Sequence, residues 1–218
     1  MSSLEQQTPG TSALEVEYKA CILDRSAFQD LLAALPAAPR CTDQLNVYID
    51  SKSAELAGAR STLRLRVTAD RAELTVKSRR SVTGASWIAD ERTLPVDRDA
   101  ARAWLSGDRA ALDPLRFAGL AGRSPGDAVV VAWSRTLRHT CAVDGVDVEL
   151  DETRFGDGTV DWEIEIEHSD RDVAAAIAQR LAVAAGVQLV AQDVSKSRRA
   201  RLHRGDAVPP LPGDGGVA

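Results

Sequence analysis

Residues 161–167 read Asp161-Trp162-Glu163-Ile164-Glu165-Ile166-Glu167. Apolar and acidic side chains alternate without a break, which is the period of a β-strand rather than a helix. One face carries Trp162, Ile164 and Ile166; the other carries three carboxylates. The same pattern recurs upstream. In Leu14–Ile22, Leu14, Val16, Tyr18, Ala20 and Ile22 oppose Glu15, Glu17 and Lys19. In Thr62–Thr68, Leu63, Leu65 and Val67 oppose Arg64 and Arg66; in Ala72–Arg79, Leu74 and Val76 oppose Thr75, Lys77 and Arg79.

Further strands are expected near Gln44–Asp50, over Trp87–Val96, and over Val129–Cys141 and Val143–Glu152, the last two joined by the Asp144-Gly145 turn. A last short strand is expected at Gln188–Val190. Asp24 is placed to cap a helix whose stripe is Phe28, Leu31, Leu32 and Leu35, ended by Pro36. Residues 99–120 read as helical, anchored by Trp104, Leu105, Leu112 and Leu115. Ser169 caps a helix to about Ala185, with Gly186 as its stop. The strands come in consecutive groups rather than in strict βαβ alternation, so the class is α+β with antiparallel strands. Residues 1–12 and 205–218 read as flexible tails around a single domain over 13–204.

The 218 residues carry 27 Lys and Arg against 32 Asp and Glu, a formal net charge of −5. That balance excludes a general nucleic-acid binder, which carries a basic excess. No apolar run reaches the ~18 residues of a membrane span, and the N-terminal stretch has no secretory pattern. Cys21, Cys41 and Cys141 form no CxxC pair, so neither a disulfide framework nor a thiolate zinc site is expected. A cytoplasmic location is the simplest expectation.

The polar strand faces hold like charges in pairs: Glu15/Glu17, Arg64/Arg66, Lys77/Arg79, Glu149/Asp151 and Glu163/Glu165/Glu167. Residues i and i+2 point the same way at ~6.6–7 Å, so each pair needs solvent, counter-charges or a ligand. Solvated faces with weak cross-strand pairs are one solution. The other is a barrel closed with its charged faces inward. There, Arg and Lys would hold phosphate oxygens, and carboxylates would hold Mg²⁺ or Mn²⁺.

The order of these residues resembles the CYTH domain, the triphosphate tunnel metalloenzymes. Glu15-Val16-Glu17-Tyr18-Lys19 is similar to the family's ExExK signature. Leu63-Arg64-Leu65-Arg66, Leu74-Thr75-Val76-Lys77, Glu91, Arg135, Leu150-Asp151, Trp162-Glu163-Ile164-Glu165 and Ser195-Lys196 follow in the family's order, over roughly residues 13–201. The resemblance implies an eight-stranded antiparallel β-barrel, the triphosphate tunnel, with flanking helices. It also implies a divalent-metal-dependent triphosphatase acting on inorganic triphosphate or a small organic triphosphate, with Mg²⁺ or Mn²⁺ as cofactor. It assigns Lys19, Arg64, Arg66, Lys77, Arg135 and Lys196 to the phosphates. Glu15, Glu17, Glu91, Asp151, Glu163 and Glu165 go to the metal, and Glu15, Glu17, Lys77, Arg135 and Lys196 carry the chemistry. Arg135 is preferred to Arg138, whose strand parity is opposite. Ala89 stands where many relatives have Arg, and Arg79 where many have a small residue or proline. His139, His168 and His203 are read as surface or structural residues. Two other functions compete: a class IV adenylate cyclase making cyclic AMP from ATP, and a non-catalytic polyphosphate or nucleotide binder. The partner is a small molecule, with neither membrane nor nucleic acid; the chain is monomeric or a homodimer.

Overall fold

In the computed structural model, which describes residues 11–205 and 207–214, eight antiparallel strands close on themselves. They are β1 (Thr11–Ile22), β2 (Arg40–Ser51), β3 (Ser61–Val67), β4 (Ala72–Thr83), β5 (Ser86–Val96), β6 (Ala128–Val143), β7 (Val146–Phe155) and β8 (Val160–Glu167). Around the barrel the order is β1-β5-β4-β3-β2-β6-β7-β8, and β8 returns to β1. A ninth strand, β9 (Leu189–Ala191), pairs with the end of β1, at Ala20–Ile22. The expected eight-stranded antiparallel α+β barrel is therefore the fold found.

The helices are α1 (Arg25–Ala33), α2 (Glu55–Gly58), α3 (Arg98–Leu105), α4 (Pro114–Phe117), α5 (Arg171–Ala185) and α6 (Lys196–Leu202). None is long and apolar enough to cross a membrane. The apolar strand faces point outward and are covered in two patches. Ala20, Ile22, Val148, Leu150, Ile164 and Ile166 pack under α1 and α5, which contribute Phe28, Leu31, Ile177 and Leu181. Leu45, Val47, Leu63, Leu65 and Leu74 pack under Ala101 and Trp104 of α3 and Leu115 of α4. Such burial is worth roughly 1.5–3 kcal/mol per large side chain, so the outer layers hold the barrel closed and its interior is left free for polar groups.

Local chemistry sets the element ends. Asp24 accepts from the Ala27 N–H and starts α1; Asp170, one residue beyond the expected Ser169, does the same for α5. Gly186 ends α5 in the left-handed region at φ +67°. The Asp144-Gly145 turn joins β6 to β7, both residues at positive φ. The expected helix over 99–120 is two short helices, because Gly107 turns the chain at φ +114° and Pro114 restarts it. Strand β1 begins at Thr11, so the expected N-terminal tail is shorter; residues 1–10 lie outside the described part. The other expected tail is partly docked: Leu211 is buried in the α3/α4 patch, and Arg98 and Arg102 pair with Asp214. The basic stretch after Ser195 is a helix, α6. Its Ala200 packs against Tyr48, Ala132 and Phe155, at one end of the barrel interior.

Candidate functional site

Because strand side chains alternate, closing the barrel with its apolar faces outward sends every second residue inward. Inside lies a cavity of about 480 Å³. It is lined by Glu15, Glu17 and Lys19 of β1, Arg64 and Arg66 of β3, Lys77 of β4, Glu91 of β5, Glu165 of β8 and Lys196 of α6. Nine of the site residues expected from the sequence thus meet in one space. Asp151 and Glu163 lie beneath it, fully buried.

Arg135 does not reach it. It stands on the outer face beside Leu45, where it donates to Asp43 at 2.6–3.2 Å and is about a third exposed. Arg138, three residues on and therefore on the opposite face, is the β6 cation in the cavity. It donates to Asp151 at 2.6 and 2.8 Å and to Glu165 at 2.6 Å, and also pairs with Glu149. The assignment of the central cation to Arg135 is corrected to Arg138. The signal for it lay in the turn: counting back from Asp144-Gly145 sets Arg138 opposite Asp151.

The interior is polarised. On the β3 wall, Arg66 donates to Asn46 at 3.0 Å and lies 3.7 Å from Glu73. The Arg64 Nη2 reaches Thr75 at 3.4 Å, and its buried Nε has no partner. Burial, and then the charges of Arg64 and Arg138, pull the Arg66 guanidinium down to about 10. Positive charge is in excess here. Across the barrel, Glu15, Glu17 and Glu167 bring carboxylate oxygens within 4.8 Å of one another. Lys77 binds Glu15 at 2.5 Å and Glu91 at 2.9 Å, and Lys19 lies 3.2 Å from Glu17. Even so, burial, only partly opposed by Lys19, raises Glu17 to about 8. Burial and the neighbouring Glu15 raise Glu167 to about 7. On this side Glu15, Glu17, Glu91 and Glu167 outnumber Lys19 and Lys77, so carboxyl groups are in excess.

The floor is balanced. Asp151, Glu163 and Glu165 form a second close trio, but cations already engage it. Lys196 reaches Asp151 at 2.5 Å, Glu165 at 3.4 Å and also Glu163. Lys19 reaches Glu165 at 2.8 Å. Burial alone would raise Glu165, yet Lys19, Lys196 and Arg138 outweigh it and hold its carboxyl well below the usual range. Below the floor, Arg199 donates to Asp161 at 2.7 Å and to Glu163. Glu167, Glu149 and Arg199 had not been assigned from the sequence. Glu167 and Glu149 share the inward parity of their strands, whereas Arg199 becomes visible only once 196–202 is seen to be a helix.

The sequence over residues 13–200 matches the family model described as the CYTH domain. The chain belongs to the CYTH domain family. Solved structures agree in fold. HpAC1 of Hippeastrum, a candidate adenylyl cyclase described as having a dominant triphosphatase activity, superposes with a TM-score of 0.79 at 23% identity, covering 92% of this chain and 99% of that one. A candidate adenylate cyclase of Bacillus halodurans gives 0.64 at 18% identity, covering 86% and 97%. The PH1819 protein of Pyrococcus horikoshii gives 0.57 at 19%, covering 85% and 97%. No curated protein matches the sequence. In this CYTH domain the cationic and acidic walls line the interior of one closed barrel.

Proposed function

We propose that this CYTH domain is a divalent-metal-dependent triphosphatase that hydrolyses inorganic triphosphate or a small organic triphosphate. The observation that carries the reading is the polarisation of one enclosed cavity. A wall with spare guanidinium charge, Arg64 and Arg66, faces a wall with spare carboxylate charge, Glu15, Glu17 and Glu167. Phosphate chains suit the first wall, since guanidinium groups give bidentate contacts to phosphate oxygens.

The acidic wall fits a hard cation. Its donors are all carboxylate oxygens, the set Mg²⁺ and Mn²⁺ prefer, and Lys19 and Lys77 compensate their mutual repulsion only in part. The trio Asp151, Glu163 and Glu165 does not fit as well, because Lys196, Arg138 and Arg199 occupy its lone pairs. We therefore assign the metal to Glu15, Glu17 and Glu167, with Glu91 beside them on Lys77. Asp151, Glu163 and Glu165 are assigned to hold Lys19, Arg138 and Lys196 in place. A divalent cation held there would supply charge to phosphate oxygens and would lower the pKa of water.

The residues then divide the work. Arg64, Arg66 and Arg138 grip the chain of phosphates from β3 and β6. Lys77 and Lys196 approach from two sides and balance charge as it builds on the oxygens of the terminal and leaving groups. Water attacks the terminal phosphorus, the bridging P–O bond breaks, and orthophosphate leaves with the shortened chain. Such transfer depends on positioning and charge far more than on covalent help, which matches a site without a nucleophilic triad.

The test is a panel of tripolyphosphate, thiamine triphosphate, ATP and pyrophosphate, each with Mg²⁺, Mn²⁺ and Ca²⁺. Phosphate release from tripolyphosphate or thiamine triphosphate is the expected result. Cyclic AMP from ATP would move the assignment to a cyclase, and tight binding without turnover to a binding module. Lys77→Ala and Glu165→Ala are each expected to lower kcat/KM by about 10²-fold or more; full activity in either would overturn the site assignment.

A further inference from the structure

The outside of the barrel is covered in two patches and open between them. Leu150 and Ile164 lie in the patch under α1 and α5, and Leu45 and Val47 in the patch under α3 and α4. Between these patches the strand register lays two rows of outward residues across β2, β6, β7 and β8. One row is Asp43, Leu137, Glu152 and Trp162; the next is Leu45, Arg135, Arg154 and Val160. Leu137 is 42% exposed at the centre of its row, and Arg154 is exposed in the other. Two half-buried tryptophans mark the margins: Trp162, and Trp133 one row further along β6. Aromatic residues and Arg are the types enriched where proteins meet.

The charges of the two rows are a second, independent sign. The first row holds Asp43 and Glu152 and no cation; the second holds Arg135 and Arg154 and no carboxylate. Asp43 and Arg135 satisfy each other across the rows. Glu152 and Arg154, two residues apart on β7, do not: among the described residues neither has an opposite charge within 4.0 Å. Glu152 accepts instead from the Trp162 indole N–H at 3.0 Å.

We propose that this strip is the interface between two copies of the chain, related by a two-fold axis that lies in the face and runs across the strands. That axis sets each strand over its counterpart with the row order reversed, so the acidic row of one copy lies on the basic row of the other. An axis along the strands would set each row on itself, with like charges facing. In the reversed arrangement Glu152 meets the partner's Arg154, and Arg154 meets the partner's Glu152. Leu137 lies against the stem of the partner's Arg135, and Trp162 against the partner's Val160. The two charges left over in one chain are thus paired twice in the dimer, as an isologous contact requires. Aligned sheets about 10 Å apart accommodate such packing. The strip is four strands wide, which puts the contact in the small, reversible class. This inference stands apart from the triphosphate reading, because the strip is on the opposite face of the strands from the cavity.

The experiment is sedimentation velocity on the full chain over a concentration series. A reversible monomer–dimer equilibrium is expected, with a Kd of roughly 10–100 µM. Glu152→Arg and Arg154→Glu, each alone, set like charges opposite one another and are expected to raise that Kd at least about tenfold. Mixed in equal amounts, the two variants are expected to associate again at about the original strength, because each copy then brings the charge the other lacks. Leu137→Lys changes an exposed side chain and is expected to weaken association with no rescue by either variant. Thermal melts followed by circular dichroism check that each variant is folded, and Leu137→Lys decides the matter should a charge variant not fold. A chain that stays monomeric across the series overturns the proposal and leaves the strip to another occupant. Single variants that dimerise like the unaltered protein place the contact elsewhere, and a mixture that stays monomeric overturns the reversed rows.

Discussion

At the scale of single residues, Arg199 shows how the floor works. Its guanidinium lies under the cavity and holds Asp161 and Glu163 from below. Lys196, one helical turn earlier on α6, reaches Glu163 from above, together with Asp151 and Glu165. Without Arg199, Lys196 alone would have to neutralise Glu163, and its ammonium would be drawn away from a phosphate. Arg199→Ala is therefore expected to destabilise by about 3–5 kcal/mol, the usual cost of orphaning a buried charge, and to raise KM. Arg199→Lys should recover part of both; a thermal melt and steady-state kinetics on the two variants check this. Arg135 and Arg138 give a sharper contrast. Arg138→Ala should cost about 10²-fold in kcat/KM, as expected for an electrostatic group in a site. Arg135→Ala should change kcat/KM by no more than about twofold, because the pair it forms with Asp43 is a surface one. Equal losses in the two would overturn the placement.

The elements explain what could be read ahead of the structure. Every strand with an unbroken two-residue period, such as Glu15–Lys19 or Glu163–Glu167, has its inward set where alternation puts it. Alternation fails to carry across irregularities: the register slips between Tyr48 and Ile49 and between Arg79 and Ser81, and no residue pattern announces either. Arg135 fits the order of the motif but has outward parity, whereas Ser134, Thr136 and Arg138 form the consistent inward polar face. Helix α6 was hidden because seven residues of mostly basic sequence have no apolar stripe. Such a short helix cannot stand alone; it is fixed by the Ser195 cap, by Arg199 and by Ala200, which is fully buried among Tyr48, Ala132 and Phe155. Ala200→Leu is expected to overpack that contact and cost about 1–3 kcal/mol. It should also lower kcat, since Lys196 rides on the same helix. A variant that loses stability with unchanged kcat would separate α6 from the chemistry.

For the whole molecule, the division between dry outer layers and a charged interior predicts a dependence of stability on ligand. The interior charges are balanced in groups but left in excess on two walls, so a polyanion and a cation together complete them. Tripolyphosphate with Mg²⁺ at about a hundred times its Kd should add about 2.7 kcal/mol, or roughly 5–10 °C in Tm for a domain this size. Chelation should remove most of that gain; differential scanning calorimetry with and without chelator measures it.

The closure of the barrel also bears on how the chain is made. Strand β1 is synthesised first, yet one of its edges is filled by β5 and the other by β8, whose Glu167 sits opposite Glu17. Some 150 residues must emerge before that seam can join, and contacts so distant in sequence form slowly. Until then β1 has an open edge of the kind that recruits other chains. A nascent or truncated chain ending before Val160 should therefore be held by chaperones or aggregate, and the ribosome must release nearly the whole domain before the first strand is safe.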